Sequence, residues 1–321
     1  MILVTGASGF VGSALVAHLA QQGLRVRVCS RQVLVPVNDF VEAVPNLDLL
    51  TVHDLKYLFT GVSSVVHAAA RVHVMNETSS DPLADFRLMN VEVTLRLARQ
   101  AAAAGVKRFI FLSTIKVNGE CTPLGQPFLA TDQPNPQDAY AISKLEAERG
   151  LRQIATETGL EVVIIRPPLV YGPGVAANFG RLLAWVSKGI PLPLACATAN
   201  RRSFVGIDNL IDLLAVCTTH PKAANQIFLI SDGHDVSTAE LLRCMAKALN
   251  RQALLVPVPV GWLASAAKLL GATEAAQRLL QSLQVDIEKN EVLLGWTPPF
   301  SLGQGLQRVA QANKLRGFVK A

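Results

Sequence analysis

With 321 residues and 50% hydrophobic content, the chain can bury one large α/β core or two intimate domains. Its net charge of +6 comes from scattered basic residues, with Lys107-Arg108 and Arg201-Arg202 the densest pairs, which argues against a nucleic-acid partner and for a pocket that takes a small anion. Five cysteines (Cys29, Cys121, Cys196, Cys217 and Cys244), without C-x-x-C spacing, favour neither a disulfide frame nor a zinc site and are expected as buried thiols; no metal is expected.

The first 24 residues carry no charged side chain, but they lack a basic n-region and are interrupted by Thr5, Ser8, Ser13 and glycines, so no signal peptide is expected. Apolar runs then alternate with helical patterns. "ILVT" (2–5), "LRVRVCS" (24–30), "VSSVVHAAA" (62–70), "RFIFLST" (108–114) and "LEVVIIRP" (160–167) read as strands. Val11–Gln22, Asn90–Ala104 and Ala139–Glu157 read as the helices between them. Such alternation predicts an α/β fold: a Rossmann-like, doubly wound parallel sheet. "NQIFLIS" (225–231) reads as a late strand that returns to it.

Beyond residue 166 the prolines crowd (Pro167, Pro168, Pro173, Pro191, Pro193), which predicts loops and short elements. Gln252–Leu270 and Thr273–Leu283 read as apolar-faced helices, and "GWTPPFSLGQGLQRVAQ" (295–311) as a turn and a last helix. The uncharged run Gln252–Ala267 has 16 residues and two prolines, too little to cross a bilayer that needs about 20. A soluble, cytoplasmic protein with no membrane partner is expected.

A strand followed at once by Gly6, Gly9 and Gly12 and then a helix presents backbone N–H groups at a helix N-terminus, where a pyrophosphate can accept them. That context predicts dinucleotide binding at 1–166, with 204–232 returning to that domain. Residues 167–203 and 233–321 are left as a smaller, mixed α/β C-terminal substrate region. An acid at the end of the second strand would bond the ribose of NAD, but Ser30 and Arg31 stand there, which favours NADP(H) and leaves NAD(H) possible. Asp54-Leu55 reads either as an adenine contact or as a helix cap.

In "DAYAISKLEAE" Tyr140 and Lys144 lie four apart and share a helix face. A lysine cation beside a phenol favours phenolate, which makes Tyr140 a candidate to move a proton while hydride moves on carbon.

Gly6, Gly9 and Gly12, "HAAA" (67–70), Asn90, "LSTIKVNG" (112–119), Tyr140/Lys144 and "RPPLVYGPG" (166–174) together resemble the extended short-chain dehydrogenase/reductases, in their nucleotide-sugar epimerase and dehydratase branch. The resemblance implies that Tyr140 is the acid/base, that Lys144 holds both Tyr140 and the nicotinamide ribose, and that Thr114, more than Ser113, bonds the reacting oxygen. It places Gly6, Ser8, Gly9, Phe10, Val11, Gly12, Ala68, Ala69, Ala70, Asn90 and Pro167 around the cofactor. Asn178 and Phe179 are matched to nucleotide-holding positions, against the readings of a turn residue and a core aromatic. Arg202 is matched to a diphosphate arginine and Arg278 to a possible second clamp. Arg71 and His73 either read the sugar or lie on a solvated loop. Lys116 and Glu120 are either active-site or surface charges.

Epimerases of this branch resemble "RYFN" where this chain has "RPPL", so Leu169 takes the place of an amide, and they carry the acid that Arg31 replaces. Both departures lean toward a UDP-4-keto-6-deoxy-N-acetylhexosamine 4-ketoreductase using a dissociable NADPH. A UDP-hexose or UDP-N-acetylhexosamine 4-epimerase with tightly held NAD is the alternative, and a non-catalytic dinucleotide-binding regulator the third reading. Ile115-Lys116 replaces the acid pair of a dehydratase. The resemblance further implies a homodimer through two helices per subunit.

Overall fold

The computed structural model describes residues 1–31, 38–72, 81–175 and 177–319. In chain order its strands are β1 (Ile2–Thr5), β2 (Val26–Cys29), β3 (Val41–Val44), β4 (Ser64–His67), β5 (Arg108–Leu112), β6 (Glu161–Arg166), β7 (Leu169–Tyr171), β8 (Phe204–Gly206) and β9 (Ile227–Leu229). The helices are α1 (Phe10–Gln21), α2 (Pro82–Arg87), α3 (Thr94–Ala103), α4 (Ala139–Thr158), α5 (Ala177–Ser187) and α6 (Ile207–Thr219), followed by α7 (Thr238–Ala248), α8 (Val260–Leu269), α9 (Thr273–Leu280), α10 (Glu288–Leu294) and α11 (Leu302–Val319).

Seven strands form one sheet in the order β3-β2-β1-β4-β5-β6-β9, and every pairing in it is parallel. The continuous apolar runs of the sequence follow from burial on both faces: α1 and α6 pack with one face, α3 and α4 with the other. The direction of winding reverses between β1 and β4, which opens a crevice at the strands' carboxyl ends.

Local chemistry fixes the helix that matters most for the site. Asp138 caps α4 by accepting from the Ala141 N–H at 2.7 Å, and Gly159, in the left-handed region at φ 77°, ends it.

A second layer is built from β7 and β8, which pair with each other, and from α5, α7 and α11, which share a core with them. Asp232 ties this layer to the sheet. Its carboxylate accepts from Tyr171 Oη at 2.6 Å, from the Gly206 N–H at 2.7 Å and from Asn209 Nδ2 at 2.7 Å.

Several elements differ from expectation. β3 and α2 carry too few patterned residues to be read from the sequence. The helix expected over Gln252–Leu270 begins only at Val260, because Pro257 and Pro259 keep the preceding segment extended, where Leu255 bridges Leu192. The helix expected to reach Leu283 stops at Leu280, and Leu283 instead bridges Arg202. Of the five thiols only Cys29 and Cys217 are buried; Cys121 and Cys196 are exposed because they sit on loops.

Candidate active site

The glycine turn lies at the mouth of the crevice. Gly6 adopts φ +71°, and a Cβ there would come within 2.6 Å of the Ala69 nitrogen, because the loops after β1 and β4 cross at this point. A Cβ on Gly12 would stand 2.1 Å from the Gly6 oxygen, so only glycine lets α1 start this close to the turn. No side chain caps α1 and no acid lies in its first turn, while Ser8 and Gly9 are exposed. The first N–H groups of the helix therefore face an open, anion-favouring space that fits a pyrophosphate. Ala68, Ala69 and Ala70 are half-buried on the opposite lip.

Beneath that lip His67 is fully buried between Thr5 Oγ1 at 2.6 Å and Thr94 Oγ1 at 2.9 Å. Burial, with the nearby Lys144 charge, lowers its pKa to about 3, so it is a neutral strut joining β1, β4 and α3.

Thr114, Tyr140 and Lys144 gather at the carboxyl end of β5. Thr114 Oγ1 accepts from the Lys116 N–H at 3.3 Å and opens the short turn Ile115–Val117. Lys144 Nζ donates to Leu112 O at 2.8 Å, lies 4.5 Å from the Phe111 ring centroid and 6.0 Å from that of Tyr140. The Tyr140 ring meets the edge of Phe86 at 5.9 Å.

The electrostatics of this group differ from the expected lowered phenol. Removal from water raises the Tyr140 pKa above the ordinary phenol value, and the Asp138 carboxylate two residues earlier adds to the rise. Burial lowers Lys144 to about 7, opposed by the Glu148 carboxylate one turn along α4. Desolvation therefore outweighs the attraction that the four-residue spacing suggested.

A buried network that sequence reasoning missed supports these residues. Arg166, at the end of β6, pairs with Glu148 through Nε at 3.0 Å and Nη2 at 2.5 Å, and its Nη1 donates to Asn118 Oδ1 at 2.9 Å. Ser113 Oγ donates to Glu148 Oε1 at 2.5 Å. Both charged residues are 3% exposed or less at the side chain. One signal was present: an apolar strand that ends in arginine, and a glutamate one helical turn after the lysine.

Lys116, left undecided from sequence, bridges Asp138 Oδ2 at 2.6 Å and Glu120 Oε1 at 2.9 Å. Burial opposes its charge but these carboxylates outweigh it, and its pKa is raised. It thus braces the start of α4 beside Tyr140.

The other expected residues have these surroundings in the fold. Asn90 is fully buried in a π-helical turn (Leu88–Val93), where Nδ2 donates to Arg71 O and Ser143 Oγ and Oδ1 accepts from the Arg71 N–H. These bonds let it position the loop after β4. Leu55 is fully buried in the core and its N–H donates to Gln100 Oε1, while the exposed Asp54 accepts from the Lys56 N–H at 3.1 Å. Phe179 is 2% exposed and stacked on Tyr171 at 5.2 Å, so it is a core aromatic with no face for a base.

Arg71 lies 5.6 Å over Phe86 and 3.3 Å from the Asp85 carboxylate, turned toward α2. Pro167 is buried, and its carbonyl accepts from the Ile115 N–H at 2.9 Å. Arg31 is exposed and Ser30 buried at the end of β2. His73 and the Asn178 side chain lie outside the described residues. Arg202 donates to Gln281 O at 3.1 Å; burial lowers its pKa, opposed by the Glu120 carboxylate and aided by Arg278, which pairs with Glu274 at 3.2 Å.

A helix-terminal phosphate cradle, with a Tyr-Lys pair and a threonine at the neighbouring strand end, defines a nicotinamide-dependent short-chain dehydrogenase/reductase. The chain belongs to the NAD dependent epimerase/dehydratase family, whose model matches residues 2–231. A relative from Vibrio cholerae named UDP-glucose 4-epimerase is 47% identical over 312 residues, which are 97% of this chain and 94% of that one. The UDP-glucuronic acid 4-epimerase of Bacillus cereus in complex with NAD superposes with TM-score 0.78 at 22% identity, over 98% of this chain and 99% of that one. The UDP-glucose 4-epimerase of Thermotoga maritima with UDP-glucose gives 0.77 at 24%, over 99% of both chains. At such identities these two show the fold alone. The Vibrio cholerae relative favours the epimerase alternative over the 4-ketoreductase reading.

Proposed function

We propose that this enzyme is a 4-epimerase of a UDP-hexose or UDP-N-acetylhexosamine that uses NAD. The observation that carries the reading is the likeness to the Vibrio cholerae 4-epimerase, which spans nearly the whole chain and both layers of the fold. The Thr114, Tyr140 and Lys144 cluster is the chemistry such a reaction needs.

NAD held on the glycine turn would supply the acceptor for the hydride of sugar carbon 4 and would return that hydride in the reduction. Tyr140 takes the carbon-4 hydroxyl proton during oxidation and returns it during reduction. Thr114 donates a hydrogen bond to that oxygen. Lys144, anchored on Leu112 O, stabilises the phenolate that Tyr140 becomes. The raised pKa of Tyr140 in the chain alone suits the proton-donating half of the cycle; the proton-accepting half relies on the Lys144 cation.

Arg202 and Arg278 clamp the diphosphate. Binding energy from that non-reacting portion orients the sugar. Leu169, 39% exposed on β7, gives the sugar an apolar neighbour.

A second reading, a 4-ketoreductase taking NADPH, keeps support from Arg31, a cation in place of the ribose-binding acid. Calorimetry with UDP, UDP-N-acetylglucosamine and free N-acetylglucosamine, combined with assay of the nucleotide released from purified protein, separates these. The epimerase reading expects tight binding of both UDP compounds, weak binding of the free sugar, and co-purified NAD. Empty protein that takes up NADPH in preference to NADH supports the reductase. Free sugar bound as tightly as its UDP conjugate removes the nucleotide-sugar assignment.

A further inference from the structure

The uncharged run Gln252–Ala267 is too short to span a bilayer, and the structure does not bury it. No residue of α8 is buried. Leu263 and Ala267 are half-buried and lean on the body of the protein. On the outward side Trp262 is 73% and Leu269 89% exposed, with Ala266 between them at helical spacing, and Leu270 at 82% extends the stripe. A helix face this apolar is ordinarily covered by a core, a partner or lipid.

The apolar surface continues into the segment before α8. There Leu254 O accepts from the Leu192 N–H at 2.9 Å and the Val256 N–H donates to Leu192 O at 2.8 Å, so this segment lies beside the chain that follows α5. Leu254, Val256 and Ile190 are all exposed on it.

Charge says what covers this face. Between Glu240 and Glu274 the chain has no acidic residue and four cations. Arg243 and Lys247 share the exposed side of α7, one turn apart, while Arg251 opens the apolar segment and Lys268 sits inside α8; all four are exposed. An apolar stripe with an indole, in a stretch whose own charges are four exposed cations and whose adjoining α9 offsets its exposed Glu274 with Arg278, matches the boundary layer of an anionic bilayer, where indoles and aliphatic side chains enter below the headgroups and cations stay at the phosphates. A second copy of the chain would bring two cationic rims together.

We infer that α8 and the segment before it form a peripheral membrane-binding surface for anionic phospholipid, with Trp262, Leu269 and Leu270 inserted and Arg251 and Lys268 on the lipid phosphates. The enzyme lies on the membrane and does not span it.

The test is co-sedimentation of the full chain with vesicles of pure phosphatidylcholine and of phosphatidylcholine mixed with phosphatidylglycerol. The expected result is binding to the mixed vesicles alone, weakened by salt, together with a blue shift in the fluorescence that Trp262→Phe removes. Trp262→Ser with Leu269→Ser should abolish binding without altering turnover of the UDP-sugar. Arg251→Glu with Lys268→Glu should weaken it by about tenfold or more. Protein that stays in the supernatant with the anionic vesicles overturns the inference, as does a double serine variant that sediments like the parent. Self-association abolished by the same serines would assign the face to a second copy and overturn it equally.

Discussion

Around the glycine turn, atoms crowd: the loops after β1 and β4 approach until a single methyl group has no place at Gly6 or Gly12. In α8 a Cβ added at Gly261 meets nothing within 4 Å. The first region is held by cross-strand and cross-helix ties, among them the His67 hydrogen bonds and the Glu148–Arg166 pair; the second rests on two half-buried side chains. The contrast separates two tasks. Chemistry at carbon 4 needs atoms held within tenths of an ångström, whereas a surface that meets a disordered bilayer needs exposed apolar area and charge.

The sharpest way to break this contrast is at the rigid end. Tyr140→Phe should lower turnover by about 10²-fold or more while leaving dinucleotide affinity nearly unchanged, since only the hydroxyl moves a proton. Steady-state kinetics beside cofactor titration measure both; near-parental turnover would remove Tyr140 from the reaction.

Glu148→Gln keeps the shape of the buried network but removes one charge of the pair. Arg166 is then left buried without its counter-ion, and thermal or urea unfolding should show a loss of about 3 kcal/mol. The variant also carries a pH signature. Lys144 acts as a cation and its pKa lies near 7, depressed by burial and supported by Glu148. Activity therefore falls as pH rises through that value. Loss of the Glu148 charge lowers the pKa further, so the alkaline limb of kcat/KM should move to lower pH. A destabilised variant with an unmoved limb would make Glu148 a purely structural residue.

The two glycines give the smallest effects and the most direct comparison. Gly12→Ala should cost about 2 kcal/mol or more, because backbone at Gly6 must shift. Gly261→Ala should add about 0.5 kcal/mol of stability, since it only restricts the unfolded chain and improves helix propensity. A large loss at Gly12 beside a small gain at Gly261 in urea unfolding would fit the contrast; two equal losses would erase it.

Much of the rigid region was legible in the sequence because local pattern and burial agree there. Apolar runs buried on both sheet faces read as strands, and the glycine turn and the Tyr-Lys spacing are local signals. What the sequence hid is set by long-range packing. The hydrogen bonds of Asn90 are an example, since 19 and 53 residues separate it from their partners. Phe179 shows the same limit, since only the fold stacks it on Tyr171. The pKa direction of Tyr140 differs from expectation for a related reason: four-residue spacing reveals a neighbour but not the depth of burial that outweighs it. In the C-terminal region the apolar run was legible and its exposure was not, because hydrophobicity alone does not say whether protein or lipid covers a face.

The central claim is that carbon 4 is oxidised and then reduced within one bound complex. It is tested most directly by incubating the enzyme, with NAD, with a UDP-glucose that carries deuterium at carbon 4. The account predicts UDP-galactose that keeps the deuterium at carbon 4 and no accumulation of reduced cofactor in solution. Deuterium lost to solvent or to added NAD, or no change at carbon 4 while NADPH is consumed with a 4-keto sugar, would contradict it.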